Sequence, residues 1–337
     1  MLNVPPTKET RGRRGPREPE NEPRWPRGRK LDRGLKSALI ACLVALAIHL
    51  IPLFLPRNMP EQELAIARAM PDATNRAQVL KPLKDNPKST GAHLREAAEL
   101  LVEGSPLDAY ELAKEAEKKE PGEVETQLLL ARICHGQRMN RCEEESLARA
   151  AELGPGDPRA DLLRADFQER DGDLGGALSS VGKAYEKAPG NVGVGVRYAR
   201  LLSTMGRGEE ALQVLKQLEK GLGRPRLLME EGLVRMEQGR MEEARELFAS
   251  AVDADPKLVM GYYHLGMAAF RVGDVEGAEE ALRQADRLDM SDMRPLSALC
   301  DIQRKTGRTE QLTATRMDLE RRFPERMEAV RSACRTQ

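Results

Sequence analysis

A beat of 34 residues runs through most of this chain and leaves few folds open to it. Pro87, Pro121, Pro155 and Pro189 stand 34 residues apart. The beat then passes through Gly223, Pro256, Met290 and Pro324, with one residue lost before Pro256. Gly172, Gly206, Gly239, Gly273 and Gly307 keep the same step, as do Ala109, Ala177, Ala211, Ala244 and Ala278. A fixed period of roughly 20–50 residues marks stacked structural repeats. One copy cannot bury its own apolar stripe, so adjacent copies must cover one another.

The stretch GRMEEARELFASAVDADP, Gly239 to Pro256, shows what one copy encodes. Ala244, Phe248 and Ala251 fall on one helical face. Pro256 closes the copy, because proline cannot continue a helix but can start a turn. The glycine ahead of it ends the preceding helix, since Gly adopts the left-handed conformation at little cost. Small residues at fixed positions let two helices approach closely. Aromatics make up 3% of the chain and charged residues 32%, which suits an Ala- and Leu-rich helical interior and not a ring-filled enzyme core.

These residues resemble the tetratricopeptide repeat. Unit 259–292 carries that pattern in Tyr262, Leu265, Gly266, Gly273, Ala278, Leu282 and Ala285. Unit 225–258 carries it in Leu228, Gly232, Gly239, Ala244, Phe248, Ala251 and Pro256. Unit 90–123 does so in Ala97, Leu100, Gly104, Ala109, Ala113, Ala116 and Pro121. The other units are 124–157, 158–191, 192–224 and 293–326. The second reads as holding a two-residue insertion in its turn, and the seventh has Leu312 where Ala is usual. The resemblance implies an all-α fold, a right-handed α-solenoid of about seven helix pairs over 90–326. Two helices in 57–89 lead into the array, and 327–337 forms a C-terminal capping helix.

Ahead of the array the composition changes. Residues 1–56 hold eleven Lys/Arg against five Asp/Glu, so +6 in a chain whose net charge is zero. Residues 1–33 carry six prolines and almost no large apolar residue except Trp25, which predicts a disordered basic tail. Ala38 to Leu55 is eighteen residues without a charged side chain. As a helix it spans roughly 27 Å, close to a hydrocarbon core, so 34–56 is expected to be a single transmembrane signal-anchor. The Lys and Arg excess before it places the N-terminus in the cytoplasm. The repeats then fall outside, in the periplasm of a bacterium with 34–56 in the inner membrane. Glu residues among the tail's arginines argue against nucleic acid as a partner.

Chemistry is sparse. His49, His93, His135 and His264 make no H-E-x-x-H pair, and there is no phosphate loop or nucleophile elbow. Ser180 and Lys183 keep an S-x-x-K spacing but fall on the second helix of a repeat. The expectation is no enzyme, no cofactor and no metal. Cys42 lies in the span. The remaining four thiols allow three pairings, and an oxidising compartment would permit bridges. Cys134 and Cys142 flank the turn of the second unit, where a bridge would staple it. Cys300 and Cys334 fall at equivalent positions on consecutive first helices. Zinc at Cys134, His135 and Cys142 lacks a fourth ligand.

In the resembled family the first helices line a concave groove. The corresponding positions here are Met229, Leu233, Met236, Met260, Tyr263, Met267 and Phe270, with Arg200, Arg226, Arg271, Arg294, Arg304 and Lys305 around them. Methionine adapts to varied apolar ligands. The expected activity is a membrane-anchored scaffold that binds a protein or peptide segment bearing acidic groups, unless these side chains only contact neighbouring helices. Alternatives are a subunit presenting clients to a membrane enzyme, as in cytochrome c assembly, or a part of a pilus, motility or secretion machine. The residues fix neither the partner nor the oligomeric state.

Overall fold

The computed structural model describes residues 59–335, so the expected tail (1–33), the expected span (34–56) and Cys42 lie outside the described residues. Among the described residues there are eighteen α-helices and no strand. None of these helices is long and apolar enough to cross a membrane. Helices α1 (Pro60–Ala69) and α2 (Ala73–Leu80) come first, α2 running into a 3-10 turn at Lys81–Asp85. The first two helix pairs are α3 (Gly91–Leu101) with α4 (Pro106–Lys119), and α5 (Val124–Gly136) with α6 (Asn140–Leu153). Next come α7 (Arg159–Arg170) with α8 (Leu174–Lys187), and α9 (Val192–Thr204) with α10 (Gly208–Gln217) and the short α11 (Glu219–Leu222). The last three are α12 (Arg224–Glu237) with α13 (Met241–Ala254), α14 (Val259–Arg271) with α15 (Val275–Leu288), and α16 (Arg294–Lys305) with α17 (Thr309–Arg322). After a 3-10 turn at Pro324–Arg326, α18 (Met327–Ala333) closes the array with Val330 buried.

Turn chemistry sets these boundaries. In the second to seventh pairs a three-residue turn joins the two helices. Its middle residue is Gly172, Gly206, Gly239, Gly273 or Gly307 at φ between 71° and 92°, and in the second pair Arg138 at φ 55°. The third turn residue donates its N–H back into the helix, as Asp173 does to Gln168 at 2.7 Å and Arg240 to Arg235 at 2.9 Å. That is the Schellman arrangement, which satisfies carbonyls left open at the helix end. Asp173 and Asp274 then cap the next helix, accepting from the N–H of Gly176 and Gly277.

The expected insertion in the second unit is absent. Gln137–Met139 is as long as the other turns. Arg138 and Glu143 stand where other units carry Gly and Ala, and their side chains hide a phase that the backbone keeps. The lost residue in the fourth unit is real. There the second helix stops at Gln217, after ten residues where its neighbours have fourteen, and α11 ends at Gly223 with φ 76°.

Small residues sit where helices press together. A Cβ on Gly232 of α12 would stand 2.6 Å from the fully buried ring of Phe248 on α13. Buried Ala and Leu fill the seams, among them Leu94, Ala97 and Leu112 early in the array and Ala278, Leu282 and Leu299 late. The structure brings both cysteine pairs together. Cys134 and Cys142 are bonded across the second turn with Cα atoms 5.8 Å apart. Cys300 and Cys334 tie α16 to the segment after α18 with Cα atoms 5.0 Å apart.

Candidate functional groove along the first helices

The first helices of successive pairs are joined by ion pairs, and the kind of junction changes along the array. Arg68 on α1 pairs with Glu96 on α3, and Glu99 on α3 with Arg132 on α5 at 3.2 Å. Glu125 on α5 meets Arg159 on α7 at 2.9 Å. Arg197 on α9 meets Asp166 and Glu169 on α7 at 2.6 and 2.8 Å. Arg200 on α9 then grips Glu230 on α12 as a fork, Nε to Oε2 at 2.9 Å and Nη2 to Oε1 at 2.6 Å. Among the described residues no ion pair joins α12 to α14 or α14 to α16. Leu233, Met236 and Met260 pack there against the cluster around Met229 and Phe248. Tyr263 and Phe270 pack against the cluster around Leu299.

The residues expected in the groove therefore divide. Met229 is 7% exposed and belongs to the packed interior. Leu233, Met236, Met260, Tyr263, Met267 and Phe270 are half-buried. Phe270 has the ammonium of Lys305 over its ring, 5.7 Å from the centroid. Most of the expected basic rim is already neutralised. Arg200 is held by Glu230, Arg294 by Asp292 at 2.7 Å, and Arg304 and Lys305 by Asp301. Arg226 and Arg271 are exposed, with no carboxylate within 4 Å among the described residues. The case for an acidic partner shrinks from six cations to two.

A hollow of about 320 Å³ opens where α9, α12 and α14 converge. Of the expected groove residues it holds Arg200, Leu233 and Met260, and the others lie outside it. It also holds Ser203, Thr204, Glu230, Glu237 and His264, which sequence reasoning missed. Glu230 is 1% exposed, a buried carboxylate made tolerable by the Arg200 fork. His264 lies against Phe248, ring centroids 5.5 Å apart, with Tyr263 edge-on. Burial pushes its pKa down to about 4, helped by the positive charges of Arg200 and Arg294. The ring is thus neutral near pH 7. The sequence shows Glu230 only as a carboxylate at helical spacing from Leu227 and Val234, both of which the fold buries. Nothing in the sequence marked Ser203 or Glu237.

Such an arrangement can hold an extended or helical segment by apolar contact and hydrogen bonding. Two family profiles described as tetratricopeptide repeat match the chain, one at residues 144–192, 198–259 and 229–292 and the other at 169–226. No curated protein sequence matches it. Among solved structures, a tetratricopeptide repeat protein from Parabacteroides merdae ATCC 43184 is similar at 15% identity and a TM-score of 0.52, over 72% of this chain and 97% of that one. PilW, described as a widely conserved type IV pilus biogenesis factor, is similar at 16% identity and a TM-score of 0.47, over 61% and 97%. YrrB, described as having an unusual peptide-binding site, is similar at 17% identity and a TM-score of 0.39, over 55% and 96%. Likeness at this identity speaks to fold alone.

Proposed function

The chain is a tetratricopeptide repeat protein, and from that premise we propose that it is a membrane-anchored scaffold that holds a partner protein in the groove of its later repeats. The observation that carries the reading is the change of junction along the first helices. Ion pairs joining α1 through α12 give way to half-buried Met, Leu and aromatic side chains from α12 to α16. A self-paired surface has little left to offer a ligand. An adaptable apolar seam flanked by the unpaired Arg226 and Arg271 offers both contact area and charge.

The uncharged run from Ala38 to Leu55 supports an anchor in the bacterial inner membrane, with the repeats on the periplasmic side. Two disulfides suit an oxidising compartment. Anchoring raises the local concentration of whatever the groove holds near the membrane.

The test is a crosslinked pull-down from membranes with the wild-type chain and with Met236→Glu combined with Met267→Glu. Arg226→Glu with Arg271→Glu is the companion variant, since both side chains are exposed and their exchange leaves the packing intact. Loss of the same partners from both variants is expected. Undiminished recovery by both overturns the groove. A reporter fused after Gln337 that is active only in the cytoplasm overturns the topology.

A further inference from the structure

The apolar core of the array is thinnest where the second helix pair meets the third. Among the described residues, the cluster spanning α5, α6 and α7 has three buried members, Ala131, Leu147 and Phe167. The clusters before and after it have sixteen and fifteen. An ion pair between Glu125 and Arg159 also crosses the junction, but both side chains are about half exposed, where such pairs add little. A ring stack ties the two pairs more closely. His135 at the end of α5 lies flat against Phe167 of α7, ring centroids 3.9 Å apart, and its Nδ1 is 3.1 Å from Oε2 of Glu143 on α6. His135 and Glu143 each follow a cysteine, and those cysteines, Cys134 and Cys142, are bonded across the turn between them. That turn holds Arg138 at φ 55°, a conformation unfavourable for a side chain. Cys142 is half-buried, whereas Cys134, Cys300 and Cys334 are at most 1% exposed.

We propose that the junction between the second and third pairs is a hinge and that the Cys134–Cys142 bridge is its redox lock. While bonded, the bridge fixes the end of α5 to the start of α6, which keeps His135 beside Glu143 and flat on Phe167. Once it opens, the turn is free to leave the left-handed conformation at Arg138, and the stack loses its support. Three buried side chains then remain to hold neighbouring pairs whose stability comes from their shared interface. The reductant is a dithiol. Its thiolate attacks Sγ of Cys142, the more exposed of the two residues, and the Sγ–Sγ bond breaks with its electron pair left on Cys134 Sγ, which takes up a proton. The second thiol then displaces Cys142, also released as a thiol, and the reductant departs as its own disulfide. Two electrons and two protons pass to the protein, and reoxidation restores the lock. The hinge lies outside the groove of the later repeats, so either reading can fail without the other.

The test uses the full chain carrying Cys300→Ser and Cys334→Ser, so that the second bridge does not contribute. Nitroxides are attached through introduced keto side chains at the exposed Leu107 and Met290, on either side of the junction, and in a second sample at the exposed Met205 and Met290, both beyond it. Double electron–electron resonance reads the spread of each distance. Dithiothreitol, or Cys134→Ser with Cys142→Ser, should widen the Leu107–Met290 distribution about twofold and leave Met205–Met290 as it was. His135→Ala should widen the first pair with the bridge intact. In the chain with both bridges, alkylation and mass spectrometry should find Cys134–Cys142 opened about tenfold faster than Cys300–Cys334. An unchanged Leu107–Met290 width on reduction overturns the hinge, and so does equal widening of both pairs, which is general loosening. A His135→Ala chain as narrow as its parent overturns the role of the stack, and the reverse order of reduction overturns the lock.

Discussion

The backbone N–H of Met139 bonds to the carbonyl of Cys134 at 2.8 Å, closing the second helical turn around a left-handed Arg138 with φ 55°. Five later turns place glycine there. A side chain in that conformation costs about 1–2 kcal/mol, part of which glycine returns as backbone entropy. Arg138→Gly is therefore expected to stabilise the protein by about 1 kcal/mol. Thermal unfolding checks it, and a lower melting temperature would contradict it.

Glu230 depends on Arg200. Removing the guanidinium leaves a carboxylate only 1% exposed without its fork. Arg200 is itself 58% exposed, so the loss should be less than for a fully buried pair, about 2 kcal/mol. Arg200→Met with Glu230→Met removes both charges and should recover most of it. A double mutant no better than Arg200→Met alone, in denaturant unfolding, would show that the pair is not coupled.

Gly232 is required by Phe248. An added Cβ would meet the ring at 2.6 Å, and the ring is fully buried. Gly232→Ala should cost about 1–3 kcal/mol by overpacking. Phe248→Leu in the same chain should make the alanine better tolerated than it is beside phenylalanine, which a double-mutant cycle measures.

His264 gives the protein a pH dependence. Its native pKa is about 4 against an ordinary 6.5, because the ring is buried beside Arg200 and Arg294. The unfolded chain binds this proton more readily. The contribution is complete above about pH 6.5 and is lost as pH falls toward about 4. The full effect is about 3 kcal/mol. Melting curves at pH 7 and pH 5 should differ more for the wild type than for His264→Gln, and equal differences would contradict the assignment.

The Cys300–Cys334 bridge closes a separation of 34 residues at the end of the array. By loop entropy it contributes about 4 kcal/mol. In a stack with nearest-neighbour coupling the loss stays local. Cys300→Ser with Cys334→Ser should speed amide exchange in Met327–Ala333 and leave α3 to α5 unchanged. Uniform acceleration along the chain would argue that the array unfolds as one unit.

By itself the sequence determined the helices, their pairing and most of their ends. Those features rest on contacts between residues close in the chain or one period apart, such as Gly239 closing α12 and Gly232 lying under Phe248. Where Arg138 and Glu143 replaced the usual Gly and Ala, the pattern misread an insertion, because backbone conformation can persist under an unfavourable side chain. Only the tertiary structure decided which groove residues are available. Arg226 and Arg294 occupy equivalent positions, yet Arg294 is held by Asp292 at 2.7 Å and Arg226 meets no carboxylate within 4 Å among the described residues. Met229 and Met260 read alike in sequence, but one is interior and the other lines the hollow. A period fixes where a backbone goes. Charge pairing and burial depend on distances of a few ångströms between side chains on different helices, and those are set only when the helices have packed.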